Sequence, residues 1–101
     1  MNLTDMIRAL SSASAPSGFE EPARKLVREL LEPYVDEINE DSMGNLIAVR
    51  KSGKPGARRL MLDAHMDEVG LIITGIEKGF LRFATLGGID PRMLPAREVK
   101  I

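Results

Sequence analysis

At Pro33 the hydrophobic period of the chain changes, and that switch limits the folds open to it. Before it, Ala23, Leu26, Val27, Leu30 and Leu31 recur at i, i+3, i+4, i+7 and i+8, the stripe of an amphipathic helix that Glu32 and Pro33 bring to an end. A shorter set, Leu3, Met6, Ile7 and Leu10, predicts a first helix over residues 4–12. Small residues, Pro16 and Gly18 break the pattern between the two. Ser17 and Glu20 have capping-box spacing at the start of the second helix, and Pro22 fits its first turn. Arg24, Lys25, Arg28 and Glu29 fall on the face opposite the apolar stripe and are expected to be solvated.

Beyond Pro33 the chain reads as strands and turns. YVDEINE and NLIAVR predict a hairpin with its turn near Met43 to Asn45, followed by the polar loop KSGKPGARR. LMLDA is an unbroken apolar run expected to be a strand buried on both faces. VGLIITGI and FLRFATL follow as strands, GGIDP as a tight turn, and REVKI as the start of a further strand. Two helices, a hairpin and an apolar strand in that order predict α/β packing. The strand pattern stops at Ile101 with no closing turn, which reads as truncation.

Composition removes several function classes. A chain of 101 residues, 44% hydrophobic and 29% charged, is expected to form one small soluble domain with its own core. The net charge of −1 gives no electrostatic reason to expect nucleic acid or an anionic membrane as partner. Without cysteine there are no disulfides, thiolate metal sites or cysteine nucleophiles, which fits a cytoplasmic location. No apolar run approaches the ~20 residues of a membrane span, and the first residues lack the pattern of a signal peptide.

The run LMLDAHMDEVGLIIT holds the chemistry. His65, the only histidine, sits among Asp63, Asp67 and Glu68 where an apolar strand is expected to end. A lone histidine in a small domain is usually a surface or satisfied core residue. Three carboxylates beside a core strand are unusual, however, unless they are paired, hold metal or line a cleft. In open α/β sheets, ligand sites lie at the carboxyl ends of strands. An ionised Asp67 could accept the Nδ1 proton of His65 and leave Nε2 free to bind metal, an arrangement common around zinc. Residues 65 and 67 of a strand point the same way, so the contact is sterically possible.

These residues carry a resemblance. LDAHMDEVGLIIT, with SAPSGFEEPARKLV and DSMGNLIAV before it and LGGIDPRMLPAREVKI after it, resembles the start of metallopeptidase family 42. That family comprises cytosolic aminopeptidases that build tetrahedral particles, some of them labelled endoglucanases. The likeness runs over residues 3–101. It departs at Ala96, where the family's proline-glycine turn leads one to expect glycine.

The resemblance implies a dinuclear-metal aminopeptidase releasing N-terminal residues from peptides with a free N-terminus. It makes His65 a ligand of one of two divalent ions, zinc or cobalt, and Asp67 the catalytic residue that orients His65. Such an ion pair activates a bridging water, polarises the scissile carbonyl and anchors the peptide's amino group. Asp63 and Glu68 are expected to make local hydrogen bonds. Residues 1–78 would be the N-terminal portion of the catalytic α/β domain and 79–101 the start of an inserted β domain, within a homo-oligomer. Further ligands and a general base would lie outside these residues, so the chain alone is expected to be inactive. A non-catalytic self-associating module is a rival. A glycoside hydrolase is another, although no Trp, one Tyr and three Phe make a poor sugar platform.

Overall fold

A computed structural model describes residues 1–101. The order is α1 (Leu3–Ser12), α2 (Glu21–Leu31), a 3₁₀ turn (Glu32–Tyr34), β1 (Glu37–Glu40), β2 (Leu46–Val49), β3 (Gly70–Glu77), β4 (Phe80–Leu86) and a second 3₁₀ turn (Pro91–Met93). This is a mixed helix and strand architecture, with no helix long and apolar enough to cross a membrane.

Local chemistry accounts for the helix ends. Asn2 caps α1 by accepting from the amide of Asp5 at 2.9 Å, and Asp5 adds a favourable negative charge to the first turn. In α2 the expected capping box does not form. The helix begins at Glu21 with Pro22 in its first turn, so the cap position falls on Glu20 and leaves Ser17 too far upstream to cap anything. Glu20 instead turns back to accept from the amide of Gly18 at 2.6 Å.

The expected solvated face of α2 also needs correction. Arg24 is only 15% exposed and reaches across to the β1–β2 hairpin. Its Nη1 donates to the carbonyl of Gly44 at 3.0 Å, while Nη2 pairs with Glu21. Nε lies 2.8 Å from Glu40 Oε1 as an ionic contact whose geometry leaves Nε without a hydrogen-bond partner. Helical periodicity places Arg24 on the polar side. It cannot reveal that the hairpin brings an acid and a carbonyl to meet it.

β1 and β2 pair antiparallel, with Ile38 opposite Ala48 and Glu40 opposite Leu46. Asp41 organises their turn: one carboxylate oxygen accepts from the amides of Met43 and Asn45, both at 2.9 Å, and the other from the Asn45 side chain at 2.8 Å. These bonds, that of the Asn45 side chain foremost, hold the Asp41 carboxyl below the usual carboxylate range. Gly44 in this turn has φ +84°, and a Cβ there would lie 2.6 Å from Arg24 Nη1. Gly44→Ala is therefore expected to lower stability by about 1–2 kcal/mol in thermal unfolding, through left-handed strain and displacement of the guanidinium.

β3 and β4 form the second hairpin, with an irregularity between Ile73 and Gly75. Lys78 and Gly79 both have positive φ (50° and 83°), the two-residue turn whose twist suits tight hairpins. The domain junction expected between residues 78 and 79 would cut through this turn and divide two strands that pair with each other. Further on, Ala96 takes φ +62°, a left-handed conformation that favours the glycine missing from this position. Ala96→Gly is expected to raise thermal stability or leave it level, by up to about 1 kcal/mol, whereas Ala96→Val should lower it.

Two strand expectations fail. LMLDA forms no strand, and Leu60, Met61 and Leu62 are 84%, 83% and 88% exposed. An apolar strand is buried on both faces only when neighbours pair with it, and no segment of these 101 residues does. Residues 97–101 likewise adopt no regular structure. The two hairpins remain separate two-stranded sheets, each marginal without packing. Only Ala15 and Ala23 are buried, so the expected self-contained core is absent. The radius of gyration, 18.1 Å, exceeds the ~13 Å of a compact domain of this length.

Candidate metal centre

The stretch before β3 carries the acid cluster, and one feature holds it to the helical layer: the connector between α1 and α2. Pro16 and Glu68 form a parallel bridge. The amide of Glu68 donates to the carbonyl of Ala15 at 2.8 Å, and Glu68 Oε1 accepts from the Ala15 amide at 2.9 Å. Glu68 thus makes the kind of hydrogen bond expected of it, but to a partner 53 residues away. Gly70, at the start of β3, is required here by close approach: a Cβ would come within 2.7 Å of Pro16 Cβ.

His65 and Asp67 are brought together. His65 Nδ1 lies 2.9 Å from the Asp67 carbonyl oxygen and 3.0 Å from Asp67 Oδ1. Both partners are acceptors, so Nδ1 carries a ring hydrogen, and in the neutral form of the ring the lone pair lies on Nε2. The imidazole is 85% exposed. Asp67 Oδ2 in turn accepts from the hydroxyl of Ser17 at 2.5 Å. The Ser17 bond first, and the His65 bond second, hold the Asp67 carboxyl below the usual carboxylate range. Asp67 therefore stays ionised at neutral and mildly acidic pH. Its contacts contribute fully above the ordinary carboxylate value and fade as pH falls through the lowered one.

Asp63 stays apart from this group on the exposed stretch. No three His, Asp or Glu side chains converge to hold an ion. The donors present fit one ligand position: an imidazole Nε2 that makes no contact, with a carboxylate fixing the ring's other nitrogen. Ser17 is the residue that sequence reasoning missed. Its spacing to Glu20 pointed to a cap, and nothing local announces a partner 50 residues away.

An exposed imidazole whose other nitrogen is held by a carboxylate is an arrangement that can serve as one ligand of a metal ion. Comparison with known proteins places the chain among peptidases. Residues 44–101 match the family model for M42 glutamyl aminopeptidase. A putative aminopeptidase of Acetivibrio thermocellus is 43% identical over 90 residues, covering 88% of this chain and 26% of that protein. The aminopeptidase APDkam598 of the archaeon Desulfurococcus kamchatkensis superposes with a TM-score of 0.82 at 45% identity, over 89% of this chain and 25% of that one. PhTET1-12s, a dodecamer in its asymmetric unit, superposes with a TM-score of 0.78 at 38% identity, over 93% of this chain and 28% of that one.

The chain belongs to the M42 glutamyl aminopeptidase family. It spans about a quarter of the length of the curated relatives it matches.

Proposed function

We propose that this chain supplies one edge of the active site of a metal-dependent aminopeptidase that removes N-terminal residues from peptides. The observation that carries the reading is the His65–Asp67 contact, in which Nδ1 is held at 3.0 Å by the carboxylate and Nε2 is left open. In this reading His65 Nε2 is the metal ligand and Asp67 the group that orients the ring. Bound divalent ions, a pair of zinc or cobalt, would supply an activated water and a polarised scissile carbonyl. The chain's own part is to hold the imidazole in one tautomer and one orientation, and to keep a carboxylate behind it that strengthens its basicity.

Membership of the family supports peptides with a free N-terminus as substrates. The dodecameric relative supports a homo-oligomeric assembly, and the absence of cysteine accords with a cytoplasmic setting. Residues 1–78 would belong to the catalytic domain and 79–101 to the start of an inserted β domain, joined at the Lys78–Gly79 turn.

A catalytic zinc takes about three protein ligands, and here no three donors converge. The purified 101-residue chain is therefore expected to hydrolyse no amino-acid anilide above the chelator-treated blank, with cobalt or zinc added. Chelator-sensitive turnover by the chain would contradict this. The positive test is a chimera in which residues 1–101 replace the matching quarter of the Desulfurococcus protein. It should retain chelator-sensitive aminopeptidase activity, and a folded but inactive chimera would count against the proposal.

The unburied apolar residues favour a second reading, a self-associating module. Leu60, Met61, Leu62, Ile76 and Phe80 are all more than three-quarters exposed, an amount of apolar surface that promotes association. That reading requires a defined oligomer of the chain by sedimentation and no dependence of its function on His65.

A further inference from the structure

The α1–α2 connector is built more tightly than a loop needs to be. Ala15, 2% exposed, is more buried than any residue of the helices or strands, and both its amide and its carbonyl are held by Glu68. Pro16 packs against Gly70 so closely that no side chain fits between them. This docking delivers the Ser17 hydroxyl to Asp67 Oδ2 at 2.5 Å, while Oδ1 of the same carboxylate meets His65 Nδ1 at 3.0 Å. Each oxygen of Asp67 thus has its own donor. A carboxylate gripped at both oxygens cannot turn about its terminal bond without breaking a charge-assisted hydrogen bond. Ser17 has one hydrogen to donate, and Asp67 receives it.

We infer that Ser17 is a positioning residue: its hydroxyl fixes the Asp67 carboxylate that keeps the His65 ring in the Nδ1–H form with Nε2 open. This rests on the proposed role of His65 for its purpose, but its geometry can be read with no metal bound. Removing the hydroxyl frees Oδ2 to water and lets the carboxylate rotate. The ring then keeps only the Asp67 carbonyl, 2.9 Å from Nδ1, as a fixed acceptor.

The test is the tautomer of His65 in the metal-free 101-residue chain, read from ring nitrogen NMR shifts at alkaline pH, where imidazole is neutral. His65 is the only histidine, so its ring signals need no further assignment. The wild-type chain should show the Nδ1–H form in excess. Ser17→Ala should lower the ratio of Nδ1–H to Nε2–H forms by about threefold or more, with circular dichroism unchanged. Ser17→Thr, which keeps the hydroxyl, should restore the wild-type ratio. If the alanine variant does not fold, Ser17→Cys, close in shape but a weak donor, is read in its place with the same expected fall. An unchanged ratio in the variant lacking the hydroxyl, or no Nδ1–H excess in the wild type, overturns the inference. Loss of aminopeptidase activity by the chimera would defeat the hydrolase reading and leave this tautomer result standing.

Discussion

Replacing His65 with alanine in the aminopeptidase chimera is expected to lower kcat/KM by about a thousandfold or more, roughly 4 kcal/mol of transition-state stabilisation. The size of the effect follows from what the ring does in the proposed site. A lost ligand leaves an ion with an incomplete donor set, and no neighbouring group stands ready to replace it. Asp63 lies apart on the exposed stretch, and Glu68 is engaged by Ala15. The fold should survive the change, because the His65 side chain is 85% exposed and its removal leaves no cavity. Circular dichroism and thermal unfolding should therefore stay close to the parent while activity, measured on an amino-acid anilide, disappears. A variant that loses stability but keeps kcat/KM would show His65 to be structural.

The second large effect is expected at Asp67. Asp67→Asn keeps the shape of the side chain but removes its charge, so the His65 ring loses a charge-assisted partner and some basicity. Metal affinity in the chimera should fall about 10- to 100-fold, less than for loss of the ligand itself. Chelator competition measures this directly. The asparagine can still accept from Ser17 through its carbonyl oxygen and point its amide toward His65, where it offers a donor to a nitrogen that is itself a donor. That mismatch predicts a population with the ring flipped or in the other tautomer. Unchanged metal affinity in Asp67→Asn would remove Asp67 from the proposed machinery.

These two residues were legible in the sequence because their relation is local. Two positions apart on an extended stretch point the same way, and His65 Nδ1 does meet Asp67 Oδ1. The stretch did not need to be a paired strand for this to hold. The α2 stripe, the first hairpin and the two strands of the second were legible for the same reason, since periods of 3.6 and 2 are written residue by residue. The pairing of β3 with β4 was not anticipated. Ala96 stood out as a residue in a turn that wants glycine, and its φ of +62° shows the conformation behind that preference.

What the sequence could not show depends on distant partners. Ser17 meets Asp67 across 50 residues, and its nearby Glu20 offered a simpler explanation that Pro22 then ruled out by fixing the helix start at Glu21. Arg24 meets Gly44 and Glu40 only because the first hairpin folds back over α2. LMLDA has the composition of a buried strand, but burial is supplied by neighbours, and none of these 101 residues provides them. Periodicity reports which face wants to be covered. It does not report what covers it.

The central claim is that this segment brings a metal ligand, His65, to an aminopeptidase site. The most direct test is the metal content of the chimera, determined by elemental analysis after dialysis against zinc and then against metal-free buffer, with and without His65→Ala. The account predicts that the parent retains its bound ions and that the His65→Ala protein, equally folded, retains at least one ion fewer per chain. Equal metal content in the two proteins would contradict it.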